Sequence, residues 1–393
     1  MFKKSGVLFV VFFLALLPLG MLQVLAAPQA ATRYVASGGV DSANDCTNAN
    51  NPCGTVVYAV QQTDAGDTVE IASGSYTETD TIRLFRDVTI NGAGLDQTTV
   101  SVQTVPSVEL VFQVFADVEA SITNLTLRNA EGAGVQNNGN LALDQVRVVD
   151  NRGVGDSGGI NNAATGIITI TDSLINENGT GVSTAAGMIN YGQATIQRSL
   201  FMGNKASSYG GGVHNQGQLV LENVTFTQNE ADSGTAVSNG GSGQITMTNV
   251  TIAQNMSTLT DTIVAEAVSN YGTSIQAANT LIADNGPNAQ CVGDTPLISL
   301  GNNLDGYNSC NFNQATDISL ADARLDALTA VTGTPNWVPA LSFLADSPAL
   351  DAGSSTLCPA TDARGVARPI GGGCDIGAYE FDNYKVYLPM IVR

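Results

Sequence analysis

From residue 132 to residue 285 the chain repeats one pattern of apolar and polar positions six times. An apolar residue, a variable residue and an asparagine recur in GAGVQNNG (132–139), GGINNA (158–163), AGMINYG (186–192), GGGVHNQG (210–217), TAVSNGG (235–241) and EAVSNYG (266–272). The first asparagine column is Asn137, Asn162, Asn190, Asn215, Asn239 and Asn270. A second column follows about half a repeat later, at Asn151, Asn178, Asn204, Asn229, Asn255 and Asn285, with the same spacing of roughly 26 residues. Two independent columns sharing one period in the 20–50 residue range mark a solenoid, propeller or array.

Between the columns, apolar residues alternate with polar ones. Ten residues before the second asparagine stand Leu141, Ile168, Ala194, Leu219, Ile245 and Ile275. Eight before it stand Leu143, Ile170, Ile196, Leu221, Met247 and Ala277; three before it, Val148, Ile175, Phe201, Phe226, Ile252 and Ile282. The first two columns lie two residues apart and so share one face of a strand. Helical repeats need apolar spacings of three and four, and a propeller blade needs about 40 residues. Short, β-branched, Thr-rich strands at this period predict an all-β fold, a right-handed single-stranded parallel β-helix. Its apolar columns fill the bore as ladders spaced about 4.8 Å apart. The asparagine columns are expected at turns, in αL geometry, bonding their counterparts above and below.

His214, the one histidine, occupies a variable slot that holds Gln136, Asn161, Ile189, Ser238 and Ser269 in other repeats. The expectation is a rung corner that accepts many side chains, where His214→Ala costs under about 0.5 kcal/mol. Ahead of the repeats, residues 55–62 predict a short helix with Thr55 as N-cap and Gly66 beyond its end. Strands are expected to start at 67–71 and 88–90.

The ends carry a family resemblance. The run CGTVVYAVQQTDAGDTVEIASGSYTE (53–78) with VTINGAG (88–94) resembles the opening of secreted bacterial right-handed β-helix proteins. The GGxxxN repeats resemble those of polymorphic outer-membrane-type surface proteins. Residues 347–381, SPALDAGSSTLCPATDARGVARPIGGGCDIGAYEF, resemble the choice-of-anchor Q module. These similarities span roughly residues 50–381 and imply a pectin-lyase-like solenoid on a surface or secreted protein, in a group mostly without an assigned reaction. Within the module, Asp362, Arg364, Arg368, Asp375 and Glu380 are expected to form an ion-pair network that stabilises a cap. A catalytic use of the same charges is the competing reading.

Composition narrows the partners. Thirty-five acidic residues against 15 basic ones give −20, which excludes the basic stripe that nucleic acid requires. Residues 1–26 read as a signal peptide: Lys3 and Lys4, an apolar run, then Val24-Leu25-Ala26. The Pro18-Leu19-Gly20 interruption and the small-residue exit favour cleavage over a retained anchor. No later segment is apolar enough to span a membrane. Export makes disulfides the expected state of the six cysteines, and proximity pairs Cys46 with Cys53, Cys291 with Cys310 and Cys358 with Cys374. A metal site would need CxxC-type clusters and histidines, which the sequence lacks. No metal or cofactor is expected, since neither the EF-hand loop nor the GGxGxD nonapeptide occurs. The chain then divides into a signal peptide (1–26), an N-terminal cap (27–66), the β-helix (67–310), a C-terminal cap (311–381) and a tail (382–393). The tail's VYLPMIV fits either a sorting role or an edge strand.

Two functions are weighed. One is a non-catalytic surface protein that presents a rigid face to an extracellular glycan or envelope component. The other is a polysaccharide lyase or hydrolase. The sequence motifs of polygalacturonases and pectate lyases are absent. Arg198, Lys205 and His214 do fall on one rung, as a base and two cations would for β-elimination. In the same alignment Arg198 stacks on Asp172 and Lys205 on Glu230, which predicts ordinary ion pairs. Asp150 and Glu177, on adjacent rungs of one column, are the candidate carboxylates of a hydrolase.

Overall fold

The computed structural model describes residues 30–103, 109–179, 184–257, 266–286, 290–329 and 338–382. The expected signal peptide (1–26) and all but the first residue of the expected tail (382–393) lie outside them.

One rung shows how the coil is built. Val213–Asn215, Gln218–Glu222 and Thr225–Thr227 are three successive strands, separated by tight corners. Each pairs in parallel and in register with its equivalents on both sides. Val213 faces Met188 and Val237, Leu219 faces Ala194 and Ile245, and Phe226 faces Phe201 and Ile252. The result is a parallel β-solenoid of about eight turns with three faces. Among the described residues the first face is a ladder of nine short strands, from Ile82–Leu84 to Cys291–Val292.

The apolar columns fill the bore. Leu219, Leu221 and Phe226 belong with their counterparts to one continuous buried core. Phe226 stacks on Phe201 with ring centroids 5.0 Å apart. Burying each such side chain stabilises the coil by roughly 1.5–3 kcal/mol relative to exposure. The intervening positions, such as Gln218 and Val220, face solvent.

The corners correct the sequence reading. Left-handed backbone falls on two other columns: Asn124, Gln145, Asp172, Arg198, Asn223, Asn249 and Asn279 (φ 44–59°), and Asp150, Glu177, Gly203, Gln228, Gln254 and Asp284 (φ 54–65°). The two repeated asparagine columns keep negative φ. Their side chains do the expected stacking, but as buried spines. Asn178 donates to Asn204 Oδ1 at 3.0 Å and to the Val148 carbonyl at 2.8 Å, and accepts from Asn151 at 3.0 Å. The first spine runs from Asn137 through Asn162, Asn190, Asn215 and Asn239 to Asn270 at 2.7–2.9 Å per step. Each amide satisfies corner carbonyls that water cannot reach.

Both ends are closed. Val56–Gln61 is a helix over the first rung, with the Thr55 hydroxyl accepting from the Tyr58 N–H. The buried Glu78 carboxylate accepts from the N–H groups of Val56 and Val57. Cys46–Cys53 pins the loop before the helix. At the far end Cys291–Cys310, Leu297 and Phe312 join the bore core.

The C-terminal segment then covers the coil from the side. Val338 packs on Leu174, Leu200 and Met202, the outward residues of the third face. Asn223 donates to Thr361 O, Asn249 to Asp375 O and Gly377 O, and Asn279 accepts from Ser354. Within the segment Cys358–Cys374 is closed and the charged network is present. Arg364 pairs with Asp362 at 2.7 Å and lies over the Tyr379 ring, and Arg368 pairs with Glu380 at 3.1 Å. All five charged residues are buried.

Candidate functional site

His214 is the middle residue of the strand Val213–Asn215, not a corner residue. Side chains alternate along a strand, so with Val213 in the bore His214 projects outward from the first face. It is nonetheless only 7% exposed. The reason lies in the glycines that precede it. Gly210 has φ +60°, and a Cβ there would lie 2.6 Å from the His214 nitrogen. Only glycine makes that turn, and the turn brings the Tyr209 ring over the imidazole, 5.9 Å away and tilted 29°. The expectation of a rung corner is therefore corrected: His214 lies within a strand and is buried. Ile189, Ser238 and Ser269, its ladder neighbours, are buried as well.

The residue after each first-column asparagine sets the other wall. These are Asn138, Ala163, Tyr191, Gln216, Gly240 and Tyr271. Gln216 places its amide nitrogen 3.0 Å from His214 Nε2. With the amide nitrogen on that side Nε2 accepts, as a neutral ring does, the donor and acceptor roles following the tautomer. Burial agrees, holding the His214 pKa below its ordinary value. Nδ1 is buried and has no hydrogen-bond partner among the described residues. At Gly240 a Cβ would sit 3.4 Å from His214 Cε1. Its absence leaves the space beside the imidazole open.

That space is part of a groove of about 650 Å³ running from Thr184 past His214 to Tyr271. Tyr209 and Tyr271 stand at its edges, 48% and 53% exposed. Ser238, Asn239 and Ser233 line it further. Ser269 donates to Ser238 at 3.0 Å, and Ser233 is hydrogen-bonded to the Glu266 carboxyl group, whose pKa burial raises. No Lys, Arg, Asp or Glu lines the groove among the described residues.

The other two residues of the candidate cluster stand elsewhere on the rung. Arg198 sits at the αL corner between the second and third faces and holds Asp172 through two 2.8 Å bonds. Asp144 and Glu222 lie beside that pair, and the bond to Asp172 raises the Arg198 pKa. Lys205, past the third face, pairs with Glu230 at 2.6 Å. Neither side chain reaches the groove with His214. Asp150 is bound to Arg128, and it and Glu177 both occupy αL corner positions. Among the described residues no group of three or more His, Cys, Asp or Glu gathers as a metal site.

Sequence reasoning missed Tyr209, Tyr271, Gln216 and Gly240 as a unit. The signal was present in NYG at 190–192 and 270–272, where an aromatic follows the asparagine column.

No protein-family model matches the chain, and no curated protein sequence does. The choice-of-anchor Q and outer-membrane-type resemblances accordingly have no family match behind them. Among solved structures, the chain is similar to pectate lyase Pel9A at 16% identity, covering 90% of this chain and 96% of that one with a TM-score of 0.58. It is also similar to the pectin methylesterase from Aspergillus niger, at 13% identity, 80% and 95% coverage and a TM-score of 0.38. For pectin methylesterase PemA from Erwinia chrysanthemi the figures are 13%, 67% and 81%, and 0.32. At such identity the likeness to Pel9A establishes the fold, a parallel β-solenoid of pectate lyase type, and fold alone does not carry function.

Proposed function

We propose that this is an extracellular or cell-surface β-helix protein that binds a glycan in the groove at His214. One observation carries the reading: a neutral, buried imidazole at the foot of a groove edged by two exposed tyrosines. Tyrosine offers an apolar ring face and a polar tip at low entropic cost. Neutral hydroxyl and amide groups between the rings would fix a sugar's orientation. The compartment is inferred from the cysteines, all six of which are in disulfides, a state that oxidising environments maintain. No helix among the described residues is long and apolar enough to cross a membrane. Export by the signal peptide, and surface attachment through the choice-of-anchor Q-like module and tail, complete the proposal.

A polysaccharide lyase or hydrolase is the second reading. It is favoured by the likeness of fold to a pectate lyase, and it would need His214 Nε2 to release the Gln216 amide before taking a substrate proton. The cations proposed with it, Arg198 and Lys205, are engaged by Asp172 and Glu230. A glycan array probed with the mature protein tests binding. The same mixtures, assayed for unsaturated products and new reducing ends, test catalysis. Binding without products supports the binder. Products that disappear in His214→Ala would replace it with the enzyme, and an array with no bound glycan would refute both.

A further inference from the structure

Resting on the glycan-binding reading, we infer that the groove takes a neutral sugar chain laid across the rungs of the solenoid, stacked on Tyr209 and Tyr271 and admitted by Gly240. Charge selects the ligand class. The chain carries −20 overall, yet the described lining of the groove carries no charge. An acidic polysaccharide needs cations to neutralise its carboxylates. The nearest candidates on the rung, Arg198 and Lys205, are held by Asp172 and Glu230 away from the groove. A neutral chain asks only for ring faces and hydrogen-bonding groups, and the groove has both.

The direction follows from the register. Tyr209 precedes the strand Val213–Asn215, and Tyr271 follows the strand Val268–Asn270, two rungs further on. Two rungs are about 10 Å along the axis. Between the two rings the rungs present Gln216 and Ser238, each neutral and each able to donate and accept. A ligand that touches both tyrosines must therefore cross the rungs, running obliquely from the leading side of the strand ladder to its trailing side.

Gly240 is the specificity position. Its column places Tyr191, Gln216 and Tyr271 on other rungs, and any side chain at 240 would enter the space beside His214. With φ outside the left-handed range, Gly240 is not required by its backbone. Its smallness therefore serves space, and a larger residue can be introduced without strain at the turn.

The test is isothermal titration of the full mature protein with xylohexaose, cellohexaose and mannohexaose, and with hexagalacturonate as the acidic control, at low and high salt. At least one neutral hexamer should bind with salt-independent affinity and hexagalacturonate should not. Tyr271→Ala, an exposed truncation, should weaken that binding about tenfold. Gly240→Gln should abolish it, with circular dichroism and Tm unchanged. Should Gly240→Gln unfold the protein, Tyr271→Ala and ring-proton shifts of the tyrosines on titration decide the matter. Salt-sensitive binding of hexagalacturonate alone would overturn the neutral-chain inference while leaving glycan binding intact. Wild-type affinity in both variants would overturn the groove assignment. A glycan array with no bound glycan would remove the underlying function itself.

Discussion

Asn204 and Asn229 stack one rung apart, the amide nitrogen of the first donating to Oδ1 of the second at 2.9 Å. The same oxygen accepts the backbone N–H of Asn204 at 3.1 Å. Asn229 in turn donates to the Phe201 carbonyl and to Asn255 Oδ1, both at 2.9 Å. Asn229→Ala thus strands two donors, the backbone N–H and one amide hydrogen of Asn204, and takes the side-chain bond from the Phe201 carbonyl, in a site closed to water; Asn255 Oδ1 keeps the backbone N–H of residue 229. A loss of roughly 2–4 kcal/mol is expected, since each buried unsatisfied group costs about 1–3 kcal/mol and the groups are coupled. Asn229→Asp should do no better, because a carboxylate faces two acceptors with no proton to give. Urea denaturation measures both, and a loss below 0.5 kcal/mol in either would mean that the spine is not closed to water.

Phe226→Asp tests the bore. The ring is fully buried and stacks on Phe201. A carboxylate there has no partner, and the variant should fail to fold. Phe226→Leu, which keeps most of the volume, should lose only about 1–2 kcal/mol. Near-wild-type melting of the aspartate variant would place position 226 outside the bore.

The bore was legible in the sequence because a strand alternates faces every residue and a solenoid repeats that alternation at one period. Leu219, Leu221 and Phe226 needed no tertiary knowledge to be placed. The spines were half legible: repetition gave the stacking of Asn204 on Asn229, but not the backbone. Left-handed geometry went instead to positions of mixed identity, such as Gln145, Asp172, Arg198 and Asn223, and a column that varies in residue type leaves no pattern to read. The groove was least legible. It depends on Tyr209 folding back over His214 through Gly210, and on Tyr271 two rungs away. Tyr209 stands where a loop leaves the repeat, and although Tyr271 follows a repeat asparagine, the repeat does not say that the two share a groove. His214 was visible for its rarity, yet its burial was not.

Asn249 ties the coil to the C-terminal segment. Its amide donates to Asp375 O at 3.0 Å and Gly377 O at 3.1 Å, and Asn279 donates to its oxygen at 3.0 Å. Asn249→Ala should loosen the segment before it affects the coil. Limited proteolysis should then clip within 347–381 at a lower protease concentration than in the wild type, while the far-ultraviolet spectrum of the β-helix is retained. Equal protection in both proteins would show that apolar packing around Val338 and Tyr379 suffices to hold the segment.

Asp375 gives stability a pH dependence of unusual sign. The carboxyl group is buried, and burial pushes its pKa up to about 7, against bonds from the N–H groups of Phe381 and Asp351 that pull the other way. Burial raises Glu380 beside it in the same direction. A folded-state pKa above the unfolded value of about 3.9 means that the folded protein binds more protons between the two. The contribution of Asp375 is therefore complete below about pH 4 and is lost as the pH rises to 7, at about 1.4 kcal/mol per unit as an upper bound. Asp67 and His214, whose values are lowered, act oppositely: Asp67 stabilises less as the pH falls through the carboxylate range, and His214 less as it falls below about 6.5. A variant isolates the first effect from the others. Asp375→Asn should cost stability at pH 5, because an amide replaces one acceptor with a donor facing Phe381 or Asp351. That deficit should shrink by pH 8, where the wild type holds a buried charge and the variant does not. Thermal melts of both proteins from pH 4 to pH 8 give the comparison, and parallel curves would show that Asp375 ionises in the folded protein much as it does in the unfolded chain.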